Sequence, residues 1–352
     1  MKYCIIGAGA FGINFAYNLL NKGHKVELIT DKLNSVSSIY ARGISLDITP
    51  FDWIKNLYIK VNNYNYKWIF IWTILTYANS FYYIDYKKKA IYNSKKIIKS
   101  YNLNYDICGK KYFINLPDIF SKMINNMKMN TNFNLKIMSL SDEQISQMST
   151  QYDIIFDCRG SNVKKNFYCE NIGGYKFTIQ ADTTKKCFSL EDGWFLHTDV
   201  HKHKNLIVKG GYVFGATYYD QIINNKEEKN KMEKIITNKK FWNKYNCKKI
   251  LEFRKGTRQY SIDMLPFYTR KNNIISIHGG SAVGAVLAPF VTTCIISEII
   301  LNKKISSYDF SEKRVRNHYY QSLKYCLYSI IVIILLKRTY KFGIKRHLGI
   351  KL

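Results

Sequence analysis

Three glycine patterns and one arginine carry the chemistry legible in this chain. Gly7, Gly9 and Gly12 form G-x-G-x-x-G directly after the apolar residues KYCII at 2–6. In such a turn the first glycine permits the tight bend and the second lets backbone approach a pyrophosphate. The third lets helix and strand pack closely, and the helix N-terminus offers unpaired N–H groups and a positive dipole end to phosphate. The segment DIIFDCRG at 153–160 reads as a buried strand ending in a turn at Gly160. The segment NIISIHGGSAVG at 273–284 reads as a strand followed by a turn with Gly279, Gly280 and Gly284. Arg258 stands in GTRQYSIDMLP at 256–266, and the planar fork of an arginine fits a carboxylate through two parallel hydrogen bonds.

The elements that must hold these residues follow from periodicity. Strand 2–6, the first glycine turn, a helix to about Asn21 and a second strand KVELIT at 25–30 make a βαβ opening. That second strand should end in a carboxylate for ribose hydroxyls. Counted from the glycines, the position falls on Thr30, and the ribose role is assigned to Asp31, the next residue. A helix is expected over 112–128, a strand over 133–138, and a helix from about Ala288 to Leu301. Residues 174–219 alternate as in an antiparallel sheet, and a charged helix is expected from about Asn225 to Asn243.

The first thirty residues also look like the opening of NAD(P)-dependent dehydrogenases. Three later segments favour a different family. Ser38, Ala41 and Gly43 in SIYARG resemble the S-x-x-A-x-G loop of the D-amino-acid oxidase and glycine oxidase family of FAD enzymes. Residues 256–266 resemble that family's G-x-R-x-x-[ST]-x-D-x-L-P segment, and 278–289 resemble its closing G-H-G-x-x-G…L-[AS]-P element, with H-G-G in place of G-H-G. The resemblance implies an α/β fold, a Rossmann-type FAD-binding domain with a second, antiparallel-sheet substrate domain. It implies a discontinuous FAD-binding part (1–60, 130–165 and 250–310), a substrate part (61–129 and 166–249) and a basic helical tail (311–352). It further implies an FAD-dependent oxidoreductase acting on an amine or amino-acid-like small molecule, with hydride passing to flavin N5 and O2 taking the electrons. By the same resemblance Arg258 holds the substrate carboxylate, and Gly7, Gly9, Gly12, Asp31, Ser38, Ala41, Gly43, Gly160, Gly279, Gly280 and Gly284 line the cofactor. Some relatives attach FAD through a cysteine near the arginine segment. No cysteine lies between Arg254 and Thr269, so non-covalent FAD is expected.

Composition bounds the partners. The net charge of +29 comes from 54 Lys and Arg against 25 Asp and Glu. No tight basic block interleaved with stacking aromatics occurs, so the charge is read as spread over the surface rather than as a nucleic-acid site. Eight cysteines lie scattered without C-x-x-C pairs, which fits free thiols and a cytoplasmic location. His197, Asp199, His201 and His203 have the spacing of one strand face, yet are read as the solvent side of a hairpin rather than a metal site. No G-x-S-x-G nucleophile elbow occurs. Tyr325–Leu336 is uncharged and apolar and is followed by Lys337, Arg338, Lys341, Lys345 and Arg346. It is shorter than the about 20 residues a spanning helix needs. Two readings stand: a core helix covering the sheet, or a peripheral membrane contact through 325–346.

Overall fold

In the computed structural model, the described residues are 1–33, 44–45, 92–93, 106–108, 111–113, 116–164, 166–181, 187–189, 195–197, 201–203, 206–208, 211–214, 219–220, 230, 243, 247–263, 265–280, 284–305, 309–321, 323–324, 327–328 and 331. The main layer is a six-stranded sheet. Its strands are β1 (Lys2–Ile6), β2 (Lys25–Thr30), β3 (Phe133–Ile137), β4 (Ile154–Asp157), β9 (Phe267–Lys271) and β10 (Ile274–His278), in the order β9-β10-β4-β1-β2-β3. All neighbours pair parallel except the β9–β10 hairpin at the edge. β1 is central, with β2 on one side and β4 on the other, so the chain reverses its winding direction beside β1. Open α/β sheets hold ligands in the crevice beyond the strand ends at such a switch point.

The sheet is buried on both faces, as parallel sheets are. Tyr3 and Ile5 point to one face with Leu28, Phe156, Ile275 and Ile277. Helices α1 (Ala10–Leu20), α2 (Leu116–Lys128) and α4 (Gly284–Ile299) cover that face with Ile13, Phe15, Met123 and Val291 among others. Cys4 and Ile6 point to the other face, against Ile145 of α3 (Asp142–Met148) and Tyr152. The sequence grouped 116–128 with the substrate part, but its apolar stripe sits in the same core as α1. Its helix begins at Leu116, because Lys111–Phe113 form a short strand paired with Asp106–Cys108 and Ile44–Ser45. The last long helix begins at Gly284, a turn before the expected start.

A second sheet is antiparallel. β5 (Cys169–Ala181) pairs with β6 (Gly211–Phe214), β7 (Tyr219–Asp220) and the fifteen-residue β8 (Cys247–Ser261). The chain therefore has the α/β architecture expected, a Rossmann-type layer plus a separate antiparallel sheet. β8 ends at Ser261, and the hairpin β9–β10 of the main layer begins a few residues later, at Phe267. A helix at 312–321 closes the described chain, together with helical positions 323, 324, 327, 328 and 331. Residues 195–197 and 201–203 pair in different two-stranded sheets, so His197 and His201 do not share the single strand their spacing suggested. No helix among the described residues is long and apolar enough to cross a membrane.

Candidate functional site

The opening turn sits at the C-terminal end of β1. Gly7 has φ +98°, and a Cβ there would stand 2.7 Å from the Cys158 carbonyl oxygen; a Cβ on Gly12 would overlap the Gly7 carbonyl. Only glycine fits either position. Gly9 caps α1 without a side chain, and no acidic residue occupies the first turn of the helix. The first N–H groups of α1 therefore have no side-chain cap and no carboxylate of their own first turn, and they carry the positive end of the helix dipole.

Thr30, where a carboxylate would reach ribose, does something else. Its side chain is buried; its Oγ1 accepts a hydrogen bond from the Ala8 N–H at 3.3 Å and donates to the Lys32 carbonyl at 3.0 Å. The hydroxyl braces the glycine turn. Asp31 lies exposed, with Oδ1 accepting from the Lys32 N–H at 2.8 Å.

A chain of short contacts links this turn to the distant segments. Cys158 donates its N–H to the Ile6 carbonyl and lies against Gly7, and Gly160 follows at φ +65°. Ser161 accepts from the Asn171 side chain at 3.3 Å. Asn171 on β5 is the register partner of Gln259 on β8, the residue next to Arg258. The buried Gln259 Oε1 accepts from the Gly279 N–H at 3.0 Å. Gly279 has φ +71°, and a Cβ there would stand 2.7 Å from the Ser261 Cβ. Gly280 and Gly284 then lie under the ring of Phe11, which projects from α1 one residue before Gly12; Cβ-to-ring distances would be 3.1 and 3.4 Å. Asn18 and Thr292 tie α1 to α4 at 3.1 Å. The opening turn, the Gly160 turn, the arginine segment and the closing turn therefore meet in one place. The loop with Ser38, Ala41 and Gly43 lies outside the described residues.

The arginine segment is shaped by its own acid. Ser261 donates to Asp263 Oδ1 and to the Leu265 carbonyl, and the Leu265 N–H donates to the same carboxylate. Arg314, from the terminal helix, donates to Asp263 at 2.7 Å and to the carbonyls of Leu265, Pro266 and Asp309. Both members of this pair are nearly excluded from solvent. Arg258 itself is half-buried on β8, opposite Ile172. Tyr260 is buried.

Two neighbours are not chemical candidates. Burial pushes the Cys158 thiol well above its usual range, so only its backbone serves the site. His278 is buried, its Nε2 lies 3.0 Å from the Thr269 hydroxyl and its ring stacks on Phe267; burial lowers its pKa to about 4. It is a neutral core histidine next to the closing turn. Beyond the opening turn, Arg159 forks onto Asp157 at 2.9 and 2.8 Å and also pairs with Asp142 at the start of α3. Sequence reading missed Phe11, Gln259, Asn171 and Arg314. Gln259 and Arg314 carried no signal of type or spacing, whereas Phe11 stood inside a motif already recognised.

No protein-family model matches the sequence, and no curated protein sequence matches it. Solved structures do match. Iminodiacetate oxidase from Chelativorans sp. BNC1 aligns with TM-score 0.53 at 13% identity, covering 88% of this chain and 99% of that one. Glycine oxidase from Geobacillus kaustophilus gives 0.52 at 10% over 88% and 96%. Glycine oxidase from Bacillus cereus ATCC 14579 gives 0.51 at 11% over 86% and 95%. At such identity the likeness is one of fold, and it spans nearly the whole of each protein. The chain has the fold of the glycine oxidases, the proteins its glycine turns and arginine segment resemble.

Proposed function

We propose that the chain is an FAD-dependent oxidoreductase that oxidises the C–N bond of an amine or amino-acid-like small molecule. The observation that supports this most is the meeting of the Gly7–Gly12 turn, the Gly279–Gly284 turn and the Arg258 segment around Phe11 and Gln259. The residues present fit a dinucleotide. Gly7 and Gly9 would receive the pyrophosphate on bare backbone, Gly12 would let α1 pack close enough for that, and Asp31 would take the ribose, with Gly160 lining the same cofactor. Gly279, Gly280 and Gly284 would face the ring system at the N-terminus of α4, where the dipole favours negative charge. Ser38, Ala41 and Gly43 complete the set proposed, and the absence of cysteine from the arginine segment supports non-covalent attachment. The six-stranded layer holds the cofactor, and the sheet of β5 to β8 carries the substrate side.

When bound, FAD supplies the ring that accepts hydride at N5. The chain orients and excludes water. Arg258 clamps the substrate carboxylate and so holds Cα over the ring, while the Asp263–Arg314 lock fixes the strand that carries it. Loss of Cα–H as hydride turns the C–N bond into C=N, which water then hydrolyses, with O2 proposed as the terminal acceptor. The test is anaerobic mixing of the FAD-loaded protein with a panel of amines and D- and L-amino acids. At least one should bleach the flavin. Arg258→Ala should keep the flavin but lower kcat/KM for that carboxylate substrate by about 100-fold, the loss expected for one bidentate charged contact. Bleaching by none of the panel, or an unaffected Arg258→Ala enzyme, contradicts the proposal.

A further inference from the structure

The helix at 312–321 and the helical positions beyond it have two unlike faces. Inward, Val315 and His318 are buried and Tyr319 and Leu323 half-buried. Outward, at steps of three and four, the same helix spacing exposes the cations Lys313, Arg316 and Lys324. It also exposes Tyr320 at 61%, Leu327 at 61%, Tyr328 at 53% and Ile331 at 50%. The Lys324 ammonium lies 5.7 Å from the Tyr328 ring centre. The outer face of a helix packed on a soluble core is ordinarily charged and polar. Here large apolar side chains stand in water between cations, and at these positions the run is not a core helix covering the sheet.

We infer that this face docks on an anionic lipid surface, with the helix lying in the interface plane. Charge selects the occupant. No Asp or Glu follows Glu312, while Lys337, Arg338, Lys341, Lys345 and Arg346 continue the cationic series beyond the apolar run. Two copies of such a face repel one another, whereas anionic headgroups attract it and the acyl boundary takes Leu327, Tyr328 and Ile331. The apolar run Tyr325–Leu336 falls short of the about 20 residues a spanning helix needs, which favours contact with the bilayer surface over crossing it. This inference does not depend on the flavin reading.

The test is co-sedimentation of the full chain with vesicles of phosphatidylcholine alone or mixed with phosphatidylserine. Wild type should pellet with the mixed vesicles and stay in solution with phosphatidylcholine. The triple variant Leu327→Ser, Tyr328→Ser, Ile331→Ser should bind the mixed vesicles roughly a hundredfold more weakly, with an unchanged melting temperature. Should that variant fail to fold, Lys313→Glu, Arg316→Glu, Lys324→Glu carries the test and should lose the same binding. Three outcomes overturn the inference. They are wild type that ignores anionic vesicles, a well-folded triple variant that binds as wild type does, and a wild-type dimer that the triple variant dissolves while neither protein pellets with lipid.

Discussion

Gly279 and Gly160 share a left-handed backbone but not a neighbourhood. A methyl group on Gly279 would stand 2.7 Å from the Ser261 Cβ, whereas at Gly160 nothing lies within 4 Å. Gly160→Ala should therefore cost only the conformational strain, about 1–2 kcal/mol. Gly279→Ala should cost more than that, since Ser261 is itself held by Asp263 and Leu265. Urea denaturation of the two variants side by side checks the order. His278 gives a pH prediction. Its folded pKa, about 4, lies below its ordinary 6.5 because burial penalises the charged ring. The unfolded chain binds the proton more readily, so the stability contribution is complete above pH 6.5 and is lost as pH falls toward about 4. His24 and His318, also lowered by burial, add in the same direction. Denaturant midpoints across that range should fall with acid, and His278→Gln should flatten part of the slope.

At the scale of elements, the terminal helix is a lock on the arginine segment. Arg314→Ala leaves the Asp263 carboxylate buried without its cation, which costs about 3–5 kcal/mol. Thermal unfolding should show it, and Arg314→Lys, which keeps charge but not the fork, should recover part of the loss. Very little of this lock was legible in the sequence, because Asp263 and Arg314 are separated by 51 residues and an ion pair leaves no period. By contrast, β1, α1, β2, β3, β4 and β10 were legible to within a residue or two, since their apolar runs are bounded by glycine or polar residues. α3 was missed although Ser141 and Gln144 spell a capping box, with Ser141 accepting from the Gln144 N–H and the Gln144 side chain from the Ser141 N–H. β8 was missed because its fifteen residues mix Lys, Arg and Glu with apolar positions and pair against a single long partner. The glycine turns were legible because glycines recur at close spacing after apolar strands, and at Gly7, Gly12 and Gly279 the geometry leaves no room for a Cβ. What the sequence could not show is that the closing turn packs against α1 through Phe11 and against β8 through Gln259.

Taken whole, the chain joins a doubly covered, mainly parallel layer to an antiparallel sheet, and Arg258 stands on β8 of that second sheet, a few residues before the β9–β10 hairpin of the first. The opening turn thus stands at the C-terminal end of β1 and the closing turn at that of β10, while the antiparallel sheet ends a few residues before β9. The proposed chemistry requires a single flavin dinucleotide lying along both turns, and its most direct test is the visible absorbance of the purified protein after incubation with FAD and removal of excess. The account predicts a yellow protein with one flavin per chain that releases intact FAD on unfolding, and a Gly280→Val variant, crowded against Phe11, that stays colourless while remaining folded. A colourless wild-type protein that takes up no FAD and instead binds NADH would contradict it.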